Sequence, residues 1–512
     1  MSSMSEPRVG RVSRRLQIAV FALFLSLYVL TMKGMCIRDD VLHYERTQNI
    51  INAGSLSMPG QRYGRGAQPW LKFFASPGKD GRLYLTLGDG LSLAAVPLGL
   101  LGNVVGRAAV PASYEQVLQG IDQERRTGSP EALEARMRAL RRMPSAFFAA
   151  LINPIVMALT VLLFFNFCLA LTASLRKAWW GCLVLGTGTI IWAYSSTFWT
   201  QPIVTFCILG AFYQAYRSGT EGTVMRLVLA GLLLGYSFIT RHLSILALPY
   251  LIVYVARSRR RSKQPILRPL VLLLLPVACF LLLQMWWNDY RFGSPLQSGG
   301  WHQAEAWASF GAKLHVSVGA MLVGLHKSVF LFSPPLILGL LGLKRFVRGH
   351  RLEGEVVVGT VVTYLLVYGH FALWFAPGSW GPRFLVPSTP LLLLPACAFM
   401  NGGRWRRAVG IGLFAAGIVV QLIGVLLPLQ RIAIIQYLGG FPTVADFFLK
   451  PEILPQAKAV LAGNVELWFL EGPAKGAAGA VLAAILVSSL AYCTISVRRE
   501  DQQRRTAEAV NG

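Results

Sequence analysis

Arg38-Asp39-Asp40-Val41-Leu42-His43-Tyr44 follows closely on an apolar run from Leu16 to Met32, and a long mixed stretch separates it from the next such run. Carboxylates are expensive inside a bilayer. A pair at the mouth of a span therefore needs an explanation: chemistry, an ion site, or exposure to water. Of the 512 residues, 54% are hydrophobic and 14% charged, and mean hydropathy is +0.51. A soluble chain carries roughly a quarter charged residues. The deficit and the long apolar runs indicate an all-α polytopic membrane protein.

The formal net charge of +26 suggests nucleic-acid binding until its distribution is read. Basic residues cluster in short segments between apolar runs: Arg8 to Arg15, Arg176-Lys177, Arg257 to Lys263, Lys344 to Arg351, Arg404 to Arg407, and Arg498 to Arg505. That is positive-inside anchoring, which also attracts anionic lipid headgroups. It argues against nucleic acid as a partner. Cys168, Cys182, Cys207, Cys279, Cys397 and Cys493 lie in apolar runs and read as small core residues, while Cys36 falls in an outer loop. Neither a disulfide framework nor zinc spacing is present. No small-x-small site follows the first run, and Met35 is too large for lipoprotein cleavage before Cys36, so an uncleaved first span is expected.

Apolar runs place spans near 16–33, 145–173, 178–196, 200–217, 224–240, 243–256, 267–287, 319–343, 355–375, 383–400, 408–428 and 475–497, which is about twelve. With the N-terminus inside, every basic cluster falls inside. Leu87 to Gly106 is apolar enough to span, but doing so would invert each later cluster. It is therefore expected to be re-entrant or interfacial. Glu131 to Met143 carries Leu133, Met137 and Leu140 at helical spacing between arginines, as a surface helix does. Outer loops are expected over 34–144, 288–318 and 429–474. Residues 1–15 and 498–512 form cytoplasmic tails, of which about 1–12 and 500–512 look disordered. A transmembrane module covers 16–428, and a last span 475–497. No internal repeat is found.

Asp39 or Asp40 can serve as a general base, and the pair can bind a divalent cation with His43, one turn from Asp39, as a further ligand or proton partner. Asp is also a good N-cap, so a solvated cap ahead of an amphipathic helix stands beside these readings. His43 alone reads more simply as a packed polar neighbour. Arg241-His242 sits between two tightly spaced spans on the outer side, where positive-inside bias disfavours arginine. A guanidinium at that depth calls for an anion, and phosphate suits it; lipid snorkelling is the plain alternative. Arg383 follows Trp374-Phe375-Ala376-Pro377-Gly378-Ser379-Trp380-Gly381-Pro382, a shaped turn with interfacial tryptophans. Lys327 lies near the outer third of a span and offers a further phosphate contact. The turn Tyr194 to Gln201 carries hydroxyls that suit a polyhydroxyl ligand or ordinary capping. The stretch from Trp286 through Asn288 and Tyr290 to Pro295, continuing to Trp301-His302 and Glu305, suits sugar stacking or an interface belt. Walker, Gly-x-Ser-x-Gly and His-Glu-x-x-His motifs are absent from the sequence.

In the order and topological placement of these features the chain resembles the GT-C superfamily of membrane glycosyltransferases. It is most similar to the group of bacterial protein O-mannosyltransferases and the lipid A aminoarabinose transferase (glycosyltransferase family 39-like). The resemblance rests on Asp39-Asp40 with Tyr44 and Asn49 to Gly54, on Lys79-Asp80-Gly81-Arg82-Leu83-Tyr84 leading into Gly88-Asp89-Gly90 and Pro97, on Arg241, on Asn288 to Pro295, and on Ser379 to Pro387. It implies transfer from a polyprenyl-phosphate-linked sugar donor to an acceptor hydroxyl on the outer face, by inverting single displacement. The implied base is Asp39, with Asp40 as the runner-up. Arg241, Arg383 and Lys327 would hold the phosphate. His43, Tyr44, Tyr84, Asp89, His242, Asn288 and Tyr290 would line the substrate site. Many relatives have Asp-Glu where this chain has Asp-Asp, and Gly88-Asp89-Gly90 departs from their loop, which makes Asp89 a second acid or a turn residue. The insertion Arg107 to Arg142 is longer than expected and reads as a specificity element. A lipid, glycan or protein acceptor stays open, as does a divalent cation. A proton- or cation-coupled transporter and a non-catalytic lipid-binding or assembly protein are the competing classes. The missing repeat and missing midplane acids count against the transporter.

Overall fold

A computed structural model describes residues 13–33, 38–62, 74–109, 143–299, 311–399, 403–428, 432, 442–465, 467 and 473–511. Cys36, the expected surface helix up to 142, Trp301, His302, Glu305 and parts of the 429–474 loop lie outside the described residues. Helix α1 (Arg14–Leu30) opens on Ser13, whose hydroxyl accepts from the Leu16 amide at 3.2 Å. It packs against helix Ile152–Thr172 and against the final helix, Pro473–Asn511. Among the described residues, six helices are long and apolar enough to cross a membrane, and shorter apolar helices accompany them. Helix Leu267–Phe292 exposes Leu267, Val271, Leu275, Leu282 and Leu283, a face that suits lipid rather than water. Cys279 is exposed on the same helix, in contrast to the other five described cysteines, which are buried.

Every apolar run expected to span is helical, but several are broken where proline and glycine interrupt them. The run 319–343 becomes Leu314–Val323, Val329–Phe332 and Leu336–Gly349, split at Gly324 and at Ser333-Pro334-Pro335. The run 383–400 becomes a 3-10 turn Arg383–Ser388 and two short helices, Thr389–Leu393 and Ala396–Phe399, around Pro387, Pro390 and Pro395. Breaks at membrane depth persist only where other groups satisfy the freed backbone. Here the Gln421 amide donates to the Phe332 carbonyl, and the Ser333 hydroxyl accepts at 2.9 Å from the Ile190 amide, freed at the break between Leu175–Gly188 and Ile191–Ser195.

Two expectations are corrected. The chain is not purely helical: β1 (Ser57–Arg62), β2 (Ala75–Pro77) and β3 (Arg82–Leu85) form an antiparallel sheet in the order β1-β3-β2. Leu83 and Leu85 pack with Met58, Ala75 and Leu42, so one face of the sheet closes on helix α2 (Arg38–Ala53). Tyr84 turns to the other face, as strand alternation requires. The disordered tail expected at 500–512 is also corrected, because the last helix runs on to Asn511. Its polar end lacks the helix-breaking Gly and Pro that would stop it earlier.

Within Leu87 to Gly106, expected to be a re-entrant or interfacial helix, the chain forms one continuous helix, α3 (Gly90–Ala109). It lies along α2, where the Asn103 amide donates to Gln48 at 2.9 Å. The 88–90 turn meets the C-terminal end of helix Arg226–Thr240: a Cβ on Gly88 would lie 2.1 Å from the Thr240 carbonyl oxygen. Glycine is required there because backbone meets backbone. The first loop is thereby seated beside Arg241, the residue that follows Thr240. At the opposite end of the bundle, Arg259 donates to the Ser218 carbonyl at 2.9 Å and Arg257 pairs with Glu355.

Candidate active site

Asp39 and Asp40 occupy the first turn of α2, where the helix dipole favours carboxylates. Adjacent helical positions point about 100° apart, so the two diverge. Asp39 pairs with Arg383 at 3.0 Å, whereas Asp40 is fully buried. Arg383 is delivered by the Trp374–Pro382 turn, whose Ala376, Gly378 and Gly381 all take positive φ. The turn is rigid. Trp380 is buried against Phe332, and its carbonyl accepts from Tyr194 at 3.0 Å. The Arg383 guanidinium lies 4.0 Å above the Trp199 ring, a contact of roughly 1–2 kcal/mol when desolvated.

Arg241 ends helix Arg226–Thr240 in extended backbone. Its Nε donates to the Tyr368 hydroxyl at 3.1 Å, and its guanidinium lies 5.0 Å above Phe384. Phe384 itself stacks on Tyr368. Between the two arginines stands Gln201. With its amide turned as its donors require, its side-chain oxygen accepts from Arg241 Nη1 at 3.0 Å and from Arg383 Nε at 2.8 Å. Two cations therefore share one neutral oxygen, and among the described residues Asp39 is the carboxylate that pairs with either. The site retains one positive charge and suits an anion.

A second, buried cluster holds α2 in place. Arg46 is fully buried and donates to Asp89 at 2.7 Å, to the Leu87 and Gly88 carbonyls, and to Ser92. Burial lowers its pKa to about 10 against the opposing pull of Asp89, so it stays charged at neutral pH. Arg46 also donates to His43 Nδ1 at 3.0 Å, which leaves the ring proton on Nε2. Burial, and after it Arg46 and Arg383, hold the His43 pKa well below its ordinary value. Asp89 takes a further bond from Trp287 at 3.1 Å and faces Arg291 at 3.5 Å.

The remaining sequence candidates are dispersed. Tyr44 bonds Ser145 at 2.6 Å inside a packed core. Tyr84 donates to Asp80 at 2.8 Å and meets Trp287 and Phe292 edge-on. Asn288 bridges Gln284, Arg291 and the Pro295 carbonyl, closing the end of its helix. Tyr290 is half-exposed and stacks on Trp287 at 5.2 Å. His242 packs on Phe238. Lys327 is buried and pairs with Glu452 at 3.1 Å while donating to the Ser379 carbonyl at 2.7 Å, so it braces the Arg383 turn from below. Its charge is already matched, and its bonds here are structural ones. The hydroxyls of Ser195, Ser196 and Thr197 cap the carbonyls of Trp192, Ala193 and Tyr194. Among the described residues, no group of three His, Cys, Asp or Glu side chains could hold a metal ion. Sequence reasoning passed over Arg46 and Tyr368, and it read the Tyr194–Gln201 turn for its hydroxyls rather than for Trp199 and Gln201.

No protein-family model matches the chain, and no curated protein matches it. Solved structures do match. One is ArnT from Cupriavidus metallidurans bound to undecaprenyl phosphate, with a TM-score of 0.51 at 14% identity, over 88% of this chain and 77% of that one. The chain has the ArnT fold. The apo state of the same protein gives a TM-score of 0.48 at 13% identity, over 88% and 76% of the two chains. The polytopic helical architecture expected from the sequence agrees with the fold match to the ArnT bound to undecaprenyl phosphate.

Proposed function

We propose that this protein transfers a sugar from a polyprenyl-phosphate-linked donor to an acceptor hydroxyl at the outer face of a cell membrane. One observation carries the reading: Asp39, Arg383 and Arg241, three groups far apart in sequence, converge around Gln201 at the loop end of an ArnT-like bundle. That ArnT was solved with undecaprenyl phosphate supports a lipid-phosphate ligand here. Arg241 and Arg383 then cradle the donor phosphate, and Asp39 is the base.

In the reaction the acceptor oxygen gives its proton to Asp39 and bonds to the anomeric carbon from the face opposite the leaving group. The bond from that carbon to the phosphate oxygen breaks, its electron pair leaves with the phosphate, and configuration inverts. The arginines stabilise the charge that develops on the leaving oxygen. The Asp39–Arg383 pair links the half-sites: phosphate oxygens on Arg383 compete with the Asp39 carboxylate and release it toward the acceptor.

The test is sugar transfer from polyprenyl-phosphate sugars by purified protein. Asp39→Asn is expected to lower turnover by roughly a hundredfold or more. Asp40→Asn is expected to act through stability, with turnover of the folded fraction largely kept. Unchanged turnover in Asp39→Asn sinks the base assignment. Substrate flux into sealed vesicles without covalent transfer would favour a transporter instead.

A further inference from the structure

Two guanidinium groups that converge on one point repel each other. A carboxylate between them would remove that repulsion, but it would also cancel the charge on which an anionic ligand depends. Gln201 offsets part of that repulsion through its amide oxygen and adds no formal charge. Its amide oxygen has two lone pairs, and each accepts one N–H, from Arg241 at 3.0 Å and from Arg383 at 2.8 Å. The residue is buried at the start of helix Gln201–Glu221, with Pro202 just behind it. The preceding turn is pinned by Asn153, whose amide donates to the Thr197 and Trp199 carbonyls at 2.6 and 2.9 Å. Trp199, from that same turn, supports the Arg383 guanidinium from beneath. The spacing of the two cations is thus set by one rigid corner of the fold.

We infer that Gln201 is a positioning residue: its neutral amide oxygen fixes Arg241 and Arg383 side by side while leaving their charge for a bound phosphate. The inference rests on the phosphate reading given above. It distinguishes two substitutions of nearly equal size. Gln201→Glu keeps an acceptor for both arginines but adds a negative charge where the phosphate must approach. Gln201→Met keeps the volume and removes the acceptor.

The experiment measures binding of undecaprenyl phosphate to the full-length protein in detergent, together with thermal unfolding of the unliganded protein. Gln201→Glu is expected to unfold at or above the wild-type temperature and to bind about tenfold more weakly. Gln201→Met is expected to unfold at a lower temperature and also to bind about tenfold more weakly. A purely structural role would move stability and affinity together, so Gln201→Glu decides the matter. If it binds as tightly as wild type while Arg241→Gln binds weakly, the positioning role is wrong and the phosphate cradle stands. If Arg241→Gln and Arg383→Gln both bind as tightly as wild type, the cradle itself is wrong, and the role of Gln201 falls with it.

Discussion

His43 shows how one residue can look like chemistry in the sequence and be constrained by its neighbours in the fold. Its position one turn after Asp39 invites a role as proton partner or metal ligand. In the structure Arg46 donates to Nδ1, so neither a second proton nor a metal has easy access to that nitrogen. Burial comes first among the causes that hold its pKa down, with Arg46 and Arg383 behind it. The folded chain therefore leaves His43 neutral where the unfolded chain, with a pKa of about 6.5, takes up a proton. Below that value the unfolded state binds more protons, so stability rises with pH and is lost as pH falls. The wild type is expected to lose about 1 kcal/mol from this residue between about pH 7.5 and about pH 5.5. His43→Gln removes that share of the slope. Denaturant unfolding of both proteins at the two pH values measures the difference, and identical slopes would show that His43 titrates normally. At this scale the sequence was only partly readable. Arg241 and Arg383 stand out because cations are rare at the outer junctions of spans. Gln201 and Arg46 do not, since one is a neutral amide at the head of an apolar helix and the other is one more cation in a polar stretch.

Among the elements, the helices were legible and their interruptions were not. A membrane-length apolar run has few alternatives, so each expected span is helical. Where such a run breaks depends on whether a partner can satisfy the freed backbone, and Ser333 with Ile190 or Gln421 with Phe332 come from distant segments. The small sheet was missed because its strands are 3 to 6 residues long. Its one local signal is Asp80-Gly81, turn chemistry between β2 and β3, with Gly81 at φ +72°. The 88–90 turn shows how a loop element reaches the site. Gly88 touches the Thr240 carbonyl, and Thr240 leads directly into Arg241. Gly88→Ala must push these backbones apart, at a cost of about 1–3 kcal/mol. Thermal unfolding should register that loss, and undecaprenyl phosphate binding should weaken with it because Arg241 moves. Gly349→Ala is the control: nothing lies within 4 Å of its Cβ. Equal behaviour of the two variants would show that the first loop does not position Arg241.

For the whole molecule, a single contact bears on which helices cross the membrane. Helix α3 is long and apolar enough to cross, yet charge placement along the sequence argues that it does not. The Lys79 amide donates to the Arg291 carbonyl at 2.7 Å, so the first loop and the end of helix Leu267–Phe292 lie on one side of the membrane. Among the described residues between Lys79 and Arg291, apart from α3, the chain runs through Pro144–Thr172, Leu175–Gly188 with Ile191–Ser195, Gln201–Glu221, Arg226–Thr240, Leu248–Arg261 and Leu267–Phe292. If each of these segments, and no other, crosses once, the crossings are even in number and return the chain to the side it left. One more crossing, by α3, would put Lys79 and Arg291 on opposite sides, and they could not touch. On that count contact and charge both favour α3 staying with α2 at the loop end. They also put Lys263, just before Leu267, on the side opposite Lys79. With the native cysteines replaced, a membrane-impermeant thiol reagent on intact cells should label Lys79→Cys, and Lys263→Cys only after permeabilisation. Both positions are exposed, so access depends on sidedness alone. Labelling of both from outside would mean that α3 crosses and that the basic clusters after it face outward. Labelling of Lys263→Cys alone would invert the whole bundle and turn the Asp39–Arg383–Arg241 site toward the cytoplasm.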